Sequence, residues 1–96
     1  MAGFSDIILK EKVWKDVTTE VGVADGIALI VSNVSIPETA IVRLETSVAV
    51  PSAVPVIDKG IFIKKGEDKI GDPDPTEKVW VISENGSARI FVQLSP

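Results

Sequence analysis

The chain has 96 residues, enough for one domain with a single modest hydrophobic core. Its net charge of −4 at pH 7 and its scattered basic residues argue against nucleic acid as a partner, because phosphate binding needs clustered Lys and Arg. The absence of Cys and His excludes disulfides, thiol nucleophiles, the Ser-His-Asp triad, and metal sites built from thiolate or imidazole.

Hydrophobic residues make up 45% of the sequence, a high share for a soluble chain of this size. A small domain cannot bury so much apolar surface by itself, so we expect other subunits to cover part of it. No apolar stretch approaches the length of a membrane span, and no signal peptide is evident at the N terminus. We therefore expect a soluble product, made in the cytoplasm, with no membrane partner.

The residue types and the spacing of the turns indicate an all-β fold. Val, Ile and Thr are frequent, and turn residues recur every ten or so positions, which is typical of a sandwich or barrel. We predict one domain over residues 1–96, a small antiparallel β-sandwich or flattened barrel of about seven or eight strands. Residues 1–12 run from Phe4 through an aliphatic stretch to a charged run, which predicts a first strand or an extended N-terminal arm.

The middle of the chain contains three predicted strands. Residues 13–17 form a short one, and the apolar run 27–34 predicts a central strand that is covered on both faces. Residues 39–50 alternate most clearly, with Val42 and Leu44 on one face. Arg43 and Glu45 share the other face, where we expect at most a surface ion pair.

Two segments rich in turn and polar residues surround a further short strand at residues 61–63. Pro51 to Pro55 predicts a loop or an extended edge, because Pro cannot donate a hydrogen bond to a neighbouring strand. Residues 67–78 form the most polar segment and contain Asp-Pro-Asp-Pro. We interpret this segment as a long exposed loop that leads into the last two strands.

The last segment, residues 79–94, places an apolar run on each side of Asn85-Gly86. Asn and Gly readily adopt the positive φ values of a type I′ turn, so this pattern predicts a two-residue β-hairpin. The resulting register gives two apolar faces, one with Val79, Val81, Ile90 and Val92, the other with Trp80, Ile82 and Phe91. A hairpin with one wet side should alternate apolar and polar residues, so we expect both sides to lie against protein.

Two groups of residues are candidates for ligand binding. Hard cations such as calcium take several oxygen ligands from one loop, and the polar segment carries five carboxylates: Glu67, Asp68, Asp72, Asp74 and Glu77. Their spacing is not that of an EF-hand, so we favour a solvated loop and expect no metal or cofactor. A carboxylate pair for glycoside hydrolysis needs a cleft for which so small a chain leaves little room.

The second group is the two tryptophans, Trp14 and Trp80, which have three interpretations. They are core aromatics, anchors in a subunit interface, where Trp is enriched, or a platform on which a sugar stacks. The chain has only two Trp, three Phe and no Tyr, which weakens the carbohydrate interpretation.

The order of several short motifs resembles a known type of protein. The motifs are Trp14-Lys15-Asp16-Val17-Thr18, then Asp25-Gly26, Asn33, a proline turn, and Val79-Trp80 followed by Asn85-Gly86. In this order they resemble small proteins that are encoded among the virion genes of tailed bacteriophages. The resemblance implies a compact β-sandwich with a structural role: a capsid decoration (cement) protein, or a small tail or fibre component, often a symmetric oligomer.

We therefore expect a non-enzymatic virion protein, most simply a capsid decoration protein that assembles as a homo-oligomer, with a trimer favoured, on a capsid or tail protein. Six residues are the expected contacts: Trp80, Ile82 and Phe91 from the last strands, and Phe4, Ile7 and Leu9 from the arm. Two alternatives stay open: a carbohydrate-binding or host-adhesion module, and a small regulatory protein of a mobile element.

Overall fold

The structure is a computed structural model that describes residues 4–36, 39–51 and 60–95, without the side chains of residues 4 and 5. Within these ranges the chain forms eight strands and one short helix. They are β1 (Phe4–Leu9), β2 (Lys15–Asp16), α1 (Val17–Val21), β3 (Leu29–Asn33), β4 (Ile41–Ser47), β5 (Ile61–Lys64), β6 (Asp68–Gly71), β7 (Lys78–Ser83) and β8 (Ala88–Leu94).

The strands form two four-stranded sheets in which every pair is antiparallel. One sheet has the order β1-β8-β3-β6 and the other has the order β2-β7-β4-β5. Most connections pass from one sheet to the other, and eight strands in this order form a jelly roll, a sandwich built from two Greek keys. The predicted all-β sandwich and its number of strands are confirmed, and the two sheets do not close into a barrel.

The hydrophobic core lies between the two sheets because alternate residues of each strand point inward. β3 and β8 show the pattern most clearly, since every second side chain is buried throughout β3 and from Ala88 to Val92 in β8. The central strands supply most of the core: Leu29, Val31, Val42, Leu44, Val79, Val81, Ile90 and Val92. Each such aliphatic side chain stabilises the fold by about 1.5–3 kcal/mol when fully buried.

The strand predicted at residues 13–17 is present only as the two-residue β2, and a five-residue helix, α1, begins directly after it at Val17. The Asp16 side chain accepts a hydrogen bond from the Thr19 amide at 3.0 Å and so caps the first turn. Gly22 ends the helix with a φ of 85°, and its amide donates to carbonyls of the last turn. The Asp16 cap, the left-handed Gly22 and the burial of Val17 and Val21 therefore favour a helix over a strand at residues 17–21.

The predicted hairpin at residues 79–94 is wrong, because β7 and β8 belong to different sheets. Gly86 has a φ of 65°, whereas Asn85 does not adopt a positive φ, so the type I′ turn is absent. The Asn85 side chain instead ties this corner to the chain before β4, donating to the Thr39 carbonyl at 2.6 Å and accepting from the Ile41 amide at 3.0 Å. The aliphatic residues of β7 and β8 therefore meet across the sandwich and not as cross-strand pairs.

Of the two possibilities for residues 1–12 the first strand is confirmed, whereas the loop predicted at residues 67–78 needs correction. β1 pairs with β8 along its whole length, from Phe4 opposite Gln93 to Leu9 opposite Ala88, so residues 4–9 form an edge strand of this chain's own sheet and not an arm. Residues 1–3 lie outside the described residues. Within the segment predicted as a loop, β6 pairs with β3 and forms the opposite edge of the same sheet.

Candidate functional site: the outer faces of the sandwich and an acidic cleft

The outer face of the sheet β2-β7-β4-β5, here called the covered face, is partly sealed by the chain's own residues. Arg43 lies on it and is fully buried, with its guanidinium 5.1 Å from the centre of the Trp14 ring. The Nε atom of Arg43 lies 3.1 Å from a Glu84 carboxylate oxygen and 3.6 Å from one of Glu45. A buried cation needs such partners, since an unpaired one carries a large desolvation cost. The alternation in β4 predicted an exposed ion pair, so the burial of Arg43 is a correction.

Neither tryptophan presents an open platform for a sugar. The Arg43 guanidinium lies over the Trp14 ring, and Trp80 donates a hydrogen bond from Nε1 to the Ser47 carbonyl at 3.1 Å. Both indoles are half-buried on the covered face. Their contacts are those of residues that seal a sheet.

The outer face of the other sheet, here called the open face, presents apolar side chains to solvent. It is formed by the outward residues of β1-β8-β3-β6: Asp6, Ile8, Ile30, Ser32, Asp68, Ile70, Arg89, Phe91 and Gln93. Ile8 is 63% exposed and Ile70 is 51% exposed, while Ile30 and Phe91 are half-buried. Ile30 and Ile70 are directly opposite each other in the register, whereas Ile8 and Phe91 lie opposite Arg89 and Asp6. Exposed apolar side chains grouped on one face typically mark an interaction site.

One ion pair lies on the open face. Asp6 is held by Arg89, whose Nε donates to Oδ1 at 2.9 Å and whose Nη2 contacts Oδ2. The hydrogen bond from Arg89 lowers the pKa of Asp6 below its ordinary value and raises that of Arg89. Both side chains are about half exposed, so the pair contributes little to stability and mainly places charge beside Ile8 and Phe91, which lie opposite Arg89 and Asp6 in the register.

The structure does not bring the six predicted contact residues together. Ile7 and Leu9 belong to the core, and Ile82 is fully buried on the covered face beside Arg43. Their predicted role as contacts is therefore corrected: alternation and burial within this chain already use these side chains. Of the other three, Trp80 is on the covered face, Phe91 is on the open face, and the side chain of Phe4 lies outside the described residues. An interface role for Trp80 and Phe91 stays a prediction.

Sequence reasoning missed most of the apolar residues on the open face. Ile30 was assigned to a strand covered on both faces, and Ile70 to a polar loop. Alternation places Ile30 and Ser32 on the same side of β3, but it does not say which side faces away from the core.

A cleft of about 490 Å³ opens between the edge strands β5 and β6. Its apolar floor includes Leu44, Ile61 and Ile70, and its rim carries four carboxylates: Glu45, Asp72, Asp74 and Glu77. In the part of the chain that the structure describes, no three acidic side chains are grouped to hold a metal ion. Two carboxylates of the polar segment instead close turns: Glu67 accepts from the Lys64 amide at 2.8 Å, and Glu77 accepts from the Asp74 amide at 2.9 Å.

Among the described residues no helix is long and apolar enough to span a membrane.

Comparison with known proteins gives matches only among solved structures, since no family model and no curated protein matches the chain. Two crystal structures of a pentameric capsid protein isolated from metagenomic phage sequences share its fold, with TM-scores of 0.51 and 0.50 and 12% sequence identity. The matches cover 96% of this chain but 65% and 61% of those chains, less than two thirds of their length. The trimer expected from the sequence finds no support in these pentamers. The expected likeness to all-β phage structural proteins is confirmed at the level of the fold.

Proposed function

We propose that this chain is a non-enzymatic structural protein of a bacteriophage particle, a capsid decoration protein that assembles as a symmetric homo-oligomer and binds the capsid through the open face. The observation that carries the proposal is the group of exposed apolar residues on the open face. The fold of the chain is shared with a pentameric phage capsid protein, which supports a place in the virion.

The two outer faces differ in a way that favours the open face as the contact surface. The covered face buries Arg43 under Trp14 and exposes Phe62 on its edge strand β5, whereas the open face leaves Ile8 and Ile70 exposed on both of its edge strands. Interface cores are depleted of charge and enriched in aromatic residues, with polar groups at their rim. The open face combines aliphatic and aromatic residues with polar neighbours, among them the Asp6–Arg89 pair beside Ile8 and Phe91.

The polar groups of the described residues also support a structural role. Glu45 and Glu84 pair with Arg43, Glu67 closes a turn, and Asn85 holds a corner of the fold. These side chains form ion pairs and hydrogen bonds that stabilise the fold. Fold alone does not fix function, so the proposal requires a test on the particle.

The test uses particles of the phage whose genome encodes this chain, stripped of the protein and mixed with the purified wild-type or a variant. We expect the wild-type protein to sediment with the particles and Ile70→Asp to bind at least about tenfold more weakly, because a carboxylate would lose its water in the contact. Val48→Asp is the matched control, since Val48 is 62% exposed in the bend after β4, away from the open face.

Two results would contradict the proposal. Absence of the protein from intact purified particles, measured by mass spectrometry, would remove the virion role. Equal binding of Ile70→Asp and wild-type protein would leave a virion role but exclude the open face as the contact.

A further inference from the structure

The four edge strands of the sandwich differ in how well they are protected from further strand pairing. An edge leaves a row of main-chain N–H and C=O groups unpaired, and proteins usually guard it with a short strand, Pro, Lys or a β-bulge. β2 has two residues, and β5 and β6 have four each and contain Lys64 and Lys69. β1 has six residues, neither Pro nor Lys, and an unbroken register of six pairs with β8. β1 is therefore the least protected edge.

The register shows which main-chain groups β1 directs to its free edge. Successive residues of a strand direct these groups alternately to the two sides. The Arg89 carbonyl accepts from the amide of Val34, which continues β3, at 3.0 Å, so the next residue of β8 faces β1. That residue is paired with Ile7, so Ile7 bonds to β8, whereas Asp6 and Ile8 direct their N–H and C=O groups away from the sheet.

The side chains along this edge belong to the open face and follow a simple order. Asp6, Ile8 and Lys10 are all exposed, Ile8 by 63%, and alternation places them on one side of the chain. The following residue, Glu11, already bridges to Ser83 of the other sheet, so its carboxylate is not part of this row. The edge therefore presents a negative, an apolar and a positive side chain at every second position.

This order is complementary to itself when two copies of β1 run antiparallel. A pairing centred on Ile8 puts the two Ile8 side chains opposite each other and each Asp6 opposite Lys10 of the second copy. A pairing centred on Asp6 would oppose two carboxylates, and one centred on Ile7 would oppose Asp6 to Ile8. Apolar pairs and unlike charges stabilise opposite positions, whereas like charges destabilise them. Asp6 can make both contacts, since a carboxylate has about four acceptor sites and Arg89 uses two.

We infer that two copies of this chain pair through β1, antiparallel and centred on Ile8, so that their four-stranded sheets become one continuous sheet. In such strand addition main-chain hydrogen bonds supply affinity and side chains supply specificity. The occupant is a second copy because the edge is self-complementary, as a two-fold contact requires. The two open faces then form one surface. The inference rests on the self-assembly that the proposed function includes and names the contact through which it occurs.

The test is disulfide cross-linking of single-cysteine variants, since the chain has no Cys of its own. In the inferred pairing Ile8→Cys places the two Cα atoms about 5.5 Å apart, within the range of a disulfide. Asp6→Cys tests the register centred on Asp6, and Ile70→Cys, 51% exposed on the opposite edge of the sheet, is the matched control. In a glutathione buffer we expect Ile8→Cys to form the dimer at least about tenfold faster than either.

A second measurement needs no new covalent bond. Ile8→Lys places two ammonium groups opposite each other and should raise the dissociation constant, measured by sedimentation equilibrium, about tenfold or more. Ile70→Lys makes the same change on the opposite edge and should leave the dissociation constant unchanged. Circular dichroism verifies that each variant is folded.

Four results would overturn the inference. If the wild-type protein is oligomeric but Ile8→Cys cross-links no faster than Ile70→Cys, the contact is wrong and self-assembly stands. Faster cross-linking of Asp6→Cys than of Ile8→Cys would overturn the register. If Ile8→Lys lost binding to phage particles while its own mass stayed that of the wild-type protein, the capsid would be the partner of β1. A monomeric wild-type protein would overturn both the contact and the self-assembly in the proposed function.

Discussion

Asn33 provides the sharpest prediction about the stability of the fold. It lies buried in β3, and its amide donates to the carbonyls of Ala40 at 3.0 Å and Ile63 at 2.9 Å, while its side-chain oxygen accepts from the Ser35 amide at 3.1 Å. β3 belongs to one sheet, whereas Ile63 lies in β5 of the other and Ala40 directly precedes β4. One side chain therefore bridges the two sheets through two of its three hydrogen bonds, and the third holds the chain just after β3.

Replacing Asn33 with Ala should lower the free energy of unfolding by about 3–6 kcal/mol. The change leaves three main-chain groups without their partner, and each buried unsatisfied group costs about 1–3 kcal/mol before local relaxation. Domains of this size are stable by about 5–15 kcal/mol in total, so the loss is a large part of the stability.

Urea unfolding at one fixed protomer concentration, followed by tryptophan fluorescence, measures this change. Ser32→Ala is the matched control, because Ser32 is on the outer side of the same strand, and we expect a change within about 0.5 kcal/mol. A loss below about 1 kcal/mol for Asn33→Ala, with an unchanged denaturant slope, would refute the view that this residue bridges the sheets.

Three further predictions concern single contacts. Thr18→Val should lower the free energy of unfolding by about 1–3 kcal/mol, because the buried Val79 amide donates to the Thr18 hydroxyl at 2.8 Å. Thr18→Ser should retain that hydrogen bond, and thermal unfolding of the two variants measures the difference. The pKa of Asp6 is lowered by Arg89, so the pair stabilises the fold above the ordinary aspartate pKa of about 3.9 and loses that effect as the pH falls through the lowered value. An NMR titration should therefore give a lower midpoint for Asp6 in the wild-type protein than in Arg89→Gln, and equal midpoints would contradict this. Gly71→Ala should lower the free energy of unfolding, measured in urea, by about 1–3 kcal/mol, since the new Cβ would lie 2.9 Å from a methyl group of Val79.

The sequence predicted the class of fold well because alternation and turn spacing are local signals. It predicted the wrong connection at Asn85-Gly86, where the same pattern fits a hairpin within one sheet and a corner between two. Which of the two forms depends on distant partners: the Asn85 side chain contacts Thr39 and Ile41, more than forty positions earlier. The residues next to the turn therefore do not determine whether a hairpin or a corner forms.

The candidate site was predicted less well, for a related reason. Alternation assigns a residue to one side of a strand but does not say what covers that side. Arg43 was expected in water and is buried under Trp14, whereas Ile82 and Phe91 were expected on one surface and lie on opposite outer faces. The excess of apolar residues was a sound signal for an exposed hydrophobic surface, and its position on the open face required the order of the strands.

Self-assembly is tested most directly by the mass of the wild-type protein in solution, measured by light scattering over a range of concentrations. We expect a mass that is a whole multiple of the 10.2 kDa chain, two copies or more. A mass that stays at 10.2 kDa up to the highest soluble concentration would contradict self-assembly.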